Sequence, residues 1–100
     1  LFGERGPSLD RYRFQTATAA PDLGQVELLG LRRDLHAVFD ASGLHLGVIK
    51  NLRGRWVFRS VGYDDHGRPR EGAGPCAASH MQRVEAPETR LVLRLLRAKR

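Results

Sequence analysis

Three four-residue segments constrain this chain more than anything else in it: DASG at 40–43, NLRG at 51–54 and DDHG at 64–67. Each places Asp or Asn first and glycine fourth. The first side chain can accept hydrogen bonds from the backbone that follows it. The glycine takes the positive φ that ends a type I turn in a bulge. Spacings of 11 and 13 residues leave room between the turns for strands of ordinary length, as in an antiparallel meander.

The intervening segments agree with that reading. LHAVFD (35–40), LHLGVIK (44–50) and RWVFRSVGY (55–63) are rich in β-branched and aromatic residues. QVELLGL (25–31) is expected to add a strand turning at Arg32, Arg33 and Asp34. Closing NLRG with a bulge sets Asn51 opposite Arg55, Lys50 opposite Trp56, Ile49 opposite Val57 and Val48 opposite Phe58. Trp56 and Phe58 then share a face with Val48 and Leu46, while Val57, Arg59, Val61 and Tyr63 take the other.

The same rule at DASG sets Asp40 opposite Leu44, Phe39 opposite His45 and Val38 opposite Leu46, with His36 and His45 on opposite faces. A shift of one residue would instead gather Leu35, Ala37, Phe39, Leu44, Leu46 and Val48 on one face. Turn chemistry and hydrophobic pattern disagree at this hairpin, and the turn is followed here. Both faces come out apolar, so the sheet must be covered twice or curl toward a barrel.

A chain of 100 residues with 41% apolar content has the size of one domain. Residues 1–8, LFGERGPS, read as a flexible N-terminal segment and 9–100 as a single small domain. LDRYRFQT (9–16) alternates weakly enough for a short strand only, and ATAAPDLG (17–24) reads as a connector. Residues 68–82 carry repeated Gly and Pro and little periodicity, which predicts a long loop, followed by a short strand near Arg83–Glu85.

A helix is predicted over 87–99, with Pro87 in the first turn, Glu88 at the positive end and basic residues at the negative end. Leu91, Val92, Leu95 and Leu96 form its apolar stripe. The expected fold is α+β: an antiparallel β-meander of four to five strands, barrel-like if it curls, with one C-terminal helix packed on the sheet.

The chain opens at Leu1 rather than methionine and is expected to be a fragment or processed form of something longer. It has no run near the roughly 18–20 apolar residues of a membrane span and no basic-then-apolar leader. A cytoplasmic protein without membrane association is the expectation. The single cysteine, Cys76, cannot form an internal disulfide and is expected to be inert.

The net charge is +6, and residues 87–100 carry +4 of it, with Arg90, Arg94, Arg97, Lys99 and Arg100 against Glu88. Arg90, Arg94 and Arg97, at i, i+4 and i+7, share one helix face suited to phosphates or carboxylates. Arg53, Arg55 and Arg59 are expected to extend that surface.

RGRWVFRSV (53–61) loosely resembles the base-stacking strand of RNA-recognition motifs. It departs from that pattern where Arg55 replaces the first aromatic and Trp56 a small residue, and the two interleaved helices are missing. Trp56 and Phe58 are therefore expected to be core residues. LGVIKNLRGRWVFRSVG (46–62) resembles the last hairpin of bacterial tellurium-resistance stress domains. The acidic calcium-binding segments of that family have no counterpart here, so its function is not carried over.

Metal or catalytic chemistry would have to come from the loop, where Asp64, Asp65, His66, Cys76, Ser79 and His80 cluster in sequence. Cys76 and His80, four apart, fit two ligands on a helical turn or a thiol beside its base. No Cys-x-x-Cys or His-x-x-x-His supports a metal, and the DDHG turn already accounts for Asp64 and Gly67. The expectation is a non-catalytic binding module without a cofactor, contacting nucleic acid or an acidic protein surface. The alternative is a loop-based metal or small-ligand site at His66, Cys76 and His80 with weak enzymatic potential.

Overall fold

A computed structural model describes residues 20–98. The segment expected to be flexible (1–8) and the strand expected at 9–16 lie outside the described residues. Within them the chain forms β1 (Val26–Arg32), β2 (Leu35–Asp40), β3 (His45–Leu52), β4 (Arg55–Tyr63), β5 (Pro69–Glu71), β6 (Gln82–Val84) and α1 (Thr89–Ala98). Strands β1 to β5 lie side by side in chain order, each antiparallel to the next, and β6 returns to pair with β4. The fold is the expected α+β meander with a C-terminal helix. The sheet remains open rather than barrel-like, because β1 ends it on one side and the short β5 and β6 on the other.

Two of the three turns form as their residues dictate. The N–H of Gly43 donates to the Asp40 carbonyl at 3.0 Å, and the N–H of Gly67 to the Asp64 carbonyl at 2.9 Å. Both glycines hold positive φ, at 88° and 76°. NLRG differs: Arg53 and Gly54 both adopt positive φ, at 57° and 85°, so the hairpin closes in two residues. Such a turn matches the right-handed twist of its strands better than a type I turn does.

The closer turn corrects the expected register by one residue. Asn51 now faces Trp56, Ile49 faces Phe58 and Val48 faces Arg59. Ile49 therefore enters the core beside Phe58, and Val48 moves to the opposite face.

The disagreement at DASG resolves in a β-bulge. Phe39 faces His45 as the turn requires, but one step on Val38 faces Gly47 and Ala37 faces Val48. Leu46 is the extra residue, and it turns into the same core as Val38. Two registers thus coexist in one hairpin, the first set by the turn and the second by the hydrophobic pattern.

Val26, Val38, Leu44, Leu46, Ile49, Phe58 and Val84 line the sheet face on which α1 packs, and α1 adds Val92 and Leu96. Fully burying each of these side chains contributes about 1.5–3 kcal/mol. A ten-residue helix is marginal alone, so this burial holds α1 in place. A smaller cluster of Ala37, Phe39 and Leu29 lies on the other face. The helix begins at Thr89 rather than at the expected Pro87. The Glu88 carbonyl already accepts the N–H of Val92 at 3.0 Å, which makes Glu88 the cap and leaves Pro87 outside.

The loop expected at 68–82 is largely ordered against β4. Strand β5 pairs along Val61–Tyr63 and β6 along Trp56–Phe58, with a single 3-10 turn at Ala77–Ser79 between them. Between the two strands, the β4 edge at Ser60 is satisfied locally: Nδ1 of His80 accepts the Ser60 N–H at 3.1 Å, and the Gly72 N–H donates to the Ser60 carbonyl at 2.9 Å. The physical reason for the order is an edge strand whose backbone groups need partners. The return segment passes so close over β4 that a Cβ on Gly62 would lie 2.5 Å from the Gly74 nitrogen.

Candidate functional site

The solvent face of α1 follows from its buried one. Val92 and Leu96, four apart, are 0% and 2% exposed, which turns Arg90, Arg94 and Arg97 outward. Leu93 lies half-buried among them, and with Ala98 they line an open groove of about 600 Å³.

The three arginines are not equivalent. Nε of Arg97 donates to the Leu23 carbonyl at 3.0 Å and Nη2 to the Gly24 carbonyl at 3.4 Å. That guanidinium ties α1 to the segment leading into β1. Arg90 lies 3.4 Å from Glu88, with both side chains more than half exposed, a pair of the kind that contributes about 0–1 kcal/mol. Arg94 is exposed and makes no hydrogen bond or ion pair with the described residues.

The arginines expected to extend this surface stand elsewhere. Side chains alternate along β4, and Phe58 points into the core under α1, so Arg55 and Arg59 point away from the helix. Nε of Arg59 donates to Glu71 at 2.6 Å, and its Nη2 contacts the same carboxylate. Arg53 occupies the β3–β4 turn at positive φ, exposed. The six arginines therefore form no single surface, because the sheet separates the helix face from Arg55 and Arg59.

The loop candidates are also apart. His66 is exposed in the DDHG turn, where its N–H and that of Arg68 each donate to Oδ1 of Asp64 at 2.9 Å. The bond from Arg68, then the one from His66 and the charge of Arg70, hold Asp64 below the usual carboxylate range. Cys76, outside any disulfide, is buried in the core on the α1 side. His80 serves the β4 edge through Nδ1, and its Nε2 faces Glu71 at 3.9 Å. Among the described residues, no three His, Cys, Asp or Glu side chains converge as metal ligands would.

Trp56 and Phe58 are built into the fold. Phe58 is fully buried, and Trp56 packs half-buried against the same core with its ring 5.5 Å from that of His36.

Two polar sites went unread in the sequence. His45 Nδ1 and the Tyr63 hydroxyl lie 2.7 Å apart on the face away from α1, with the His45 ring 5.0 Å from Phe39. Burial pushes the imidazole below its ordinary pKa, against a hydrogen bond with Gly47 that raises it, and burial pushes the phenol up. The signal available was alternation, which puts both residues on the Arg59 side of the sheet but not within reach of each other.

The second site is Asp40, 3% exposed. Its carboxylate accepts four bonds, from the N–H groups of Asp22, Ser42 and Leu44 and from the Ser42 hydroxyl, at 2.7–2.9 Å. Burial raises its pKa, but these bonds together outweigh burial and leave the group below its ordinary value. The turn signal identified Asp40 as a turn residue and not as a buried charge.

No helix among the described residues is long and apolar enough to cross a membrane. Comparison with protein families, curated proteins and solved structures finds no match to this chain.

Proposed function

We propose that this domain is a non-catalytic binding module that contacts an anionic partner, a polyanion or an acidic protein surface, through the solvent face of α1. The observation that carries this reading is Arg94, an exposed guanidinium with no partner among the described residues, flanked by the weakly paired Arg90 and set above an open groove. Arg97 shapes the groove wall and is held by backbone carbonyls, so Arg90 and Arg94 are the residues free to bind. Arg53, Arg55 and Arg59 are not part of the proposed surface.

The test is the Arg90→Glu, Arg94→Glu double variant of the full chain, titrated with heparin and with a polyglutamate peptide at low and moderate salt. Loss of binding to both probes, with an unchanged circular dichroism melt, is the expected result. Undiminished binding refutes the reading. No observation favours a metal or small-ligand site at His66, Cys76 and His80: the backbone of His66 serves a turn, and the side chains of Cys76 and His80 serve the core and a strand edge.

A further inference from the structure

Two features of the α1 face point to a particular kind of anion. The first is the small number of free cations among the described residues of α1. A protein that makes about six to ten phosphate contacts draws a large share of its affinity from them. Among the described residues Arg90 and Arg94 provide two, and of the other arginines expected on this surface Arg59 is engaged with Glu71 across the sheet and Arg97 with the Leu23 and Gly24 carbonyls. The aromatic side chains that would stack bases, Trp56 and Phe58, are packed against the core.

The second feature is that the groove is not purely basic. Leu93, half-buried against the core, and Ala98 border the arginine row on either side, so the cationic row has apolar edges. A phosphate backbone has nothing to place on those edges. An acidic protein segment has both parts: carboxylates that take Arg90 and Arg94 in bidentate pairs, and an apolar side chain to cover Leu93. The face from position 90 to 97 is about 10 Å long, at roughly 1.5 Å per residue, which about two turns of a partner helix would match. A bilayer is a poorer fit, since the apolar stripe an interfacial helix would insert is here buried against the sheet, with Val92 and Leu96 at its centre.

We infer that the partner of α1 is a short acidic, amphipathic protein segment whose apolar side chain seats on the exposed edge of Leu93, beside its carboxylate pairs to Arg90 and Arg94. This rests on the anion-binding reading above and narrows it to one class.

The full chain, isotopically labelled, is titrated with three probes: a 15-residue peptide with Glu at i, i+4 and i+7 and Leu at i+3, the same peptide with that Leu replaced by Ser, and a 12-base-pair DNA duplex. The expected result is shifts at Arg90, Leu93 and Arg94 with the first peptide. Binding should weaken about tenfold for the Ser peptide and about tenfold for Leu93→Ala. Duplex binding should be weaker still. The peptide-side change keeps the test valid if Leu93→Ala unsettles the helix. If the duplex or the Ser peptide binds as well as the first peptide, this inference is overturned while the anion-binding reading survives. If no probe shifts α1, both fall together.

Discussion

Replacing Asp40 by Asn tests how the first turn is held. The buried carboxylate accepts three bonds at Oδ1, from Ser42 N–H, Ser42 Oγ and Leu44 N–H, and one at Oδ2 from Asp22 N–H. Asn keeps the shape and an oxygen for the three, but its amide nitrogen then meets the Asp22 N–H, donor against donor. A bond to a charged group contributes about 1.5–3 kcal/mol, and the remaining three weaken as the charge goes. Asp22 lies where water can reach it in part, so we expect a loss near the lower end, about 2 kcal/mol. In a domain of this size that lowers Tm by about 8–16 °C.

Urea unfolding of both proteins across pH measures the effect and its origin together. Folding lowers the Asp40 pKa, so below about pH 4 the unfolded chain binds more protons than the native one. The wild-type advantage is therefore present above the unfolded value, near 3.9, and fades as pH falls through the lower native value. A difference under about 0.5 kcal/mol at pH 7, or one independent of pH into the acid range, would refute the argument. Asp64→Asn, in the same turn chemistry but less buried, should lose less.

Other consequences can be measured on the same footing. Burial lowers the His45 pKa, so stability should fall as pH drops from about 6.5 toward the native value, and His45→Phe should flatten that slope in urea titrations. Arg53 at positive φ strains the two-residue turn, so Arg53→Asn should raise stability by about 0.5 kcal/mol and increase Tm. Arg97→Ala should cost about 1 kcal/mol through its lost carbonyl bonds, and Arg94→Ala less than about 0.5, in denaturant melts. Equal effects of the last two would remove the distinction between a structural and a free arginine.

Much of this fold is local, and so it was legible. Asp40 and Asp64 build their turns from bonds within five residues, which a sequence displays directly. NLRG carries the same letters, yet it closes differently because the twist of β3 and β4 favours positive φ at both turn positions, and Arg53 accepts the strain. Register then moves by one. The bulge at Leu46 shows the limit most clearly: turn and pattern each specify a valid pairing, and only an extra residue lets both stand. A strand of three residues such as β5 is too short to alternate legibly, whereas β6 lies one residue from the short strand expected near Arg83–Glu85; both form because the β4 edge needs partners supplied from 69–84.

The candidate site was legible to the extent that helical periodicity could carry it. Spacing alone placed Arg90, Arg94 and Arg97 on one face, opposite Val92 and Leu96. It could not divide the three by task, because the partners of Arg97 are carbonyls at Leu23 and Gly24, more than 70 residues away in sequence. The same non-locality separated Arg55 and Arg59 from the helix: on a strand, which face meets α1 depends on the register of the whole sheet. The charge of a chain can thus be counted from its sequence, but its availability depends on which cations the fold has already engaged. Here that leaves Arg94 as the freest cation of the three, and under the proposed reading Leu93, uncharged and easily passed over, is the residue whose substitution would separate a protein partner from a phosphate backbone.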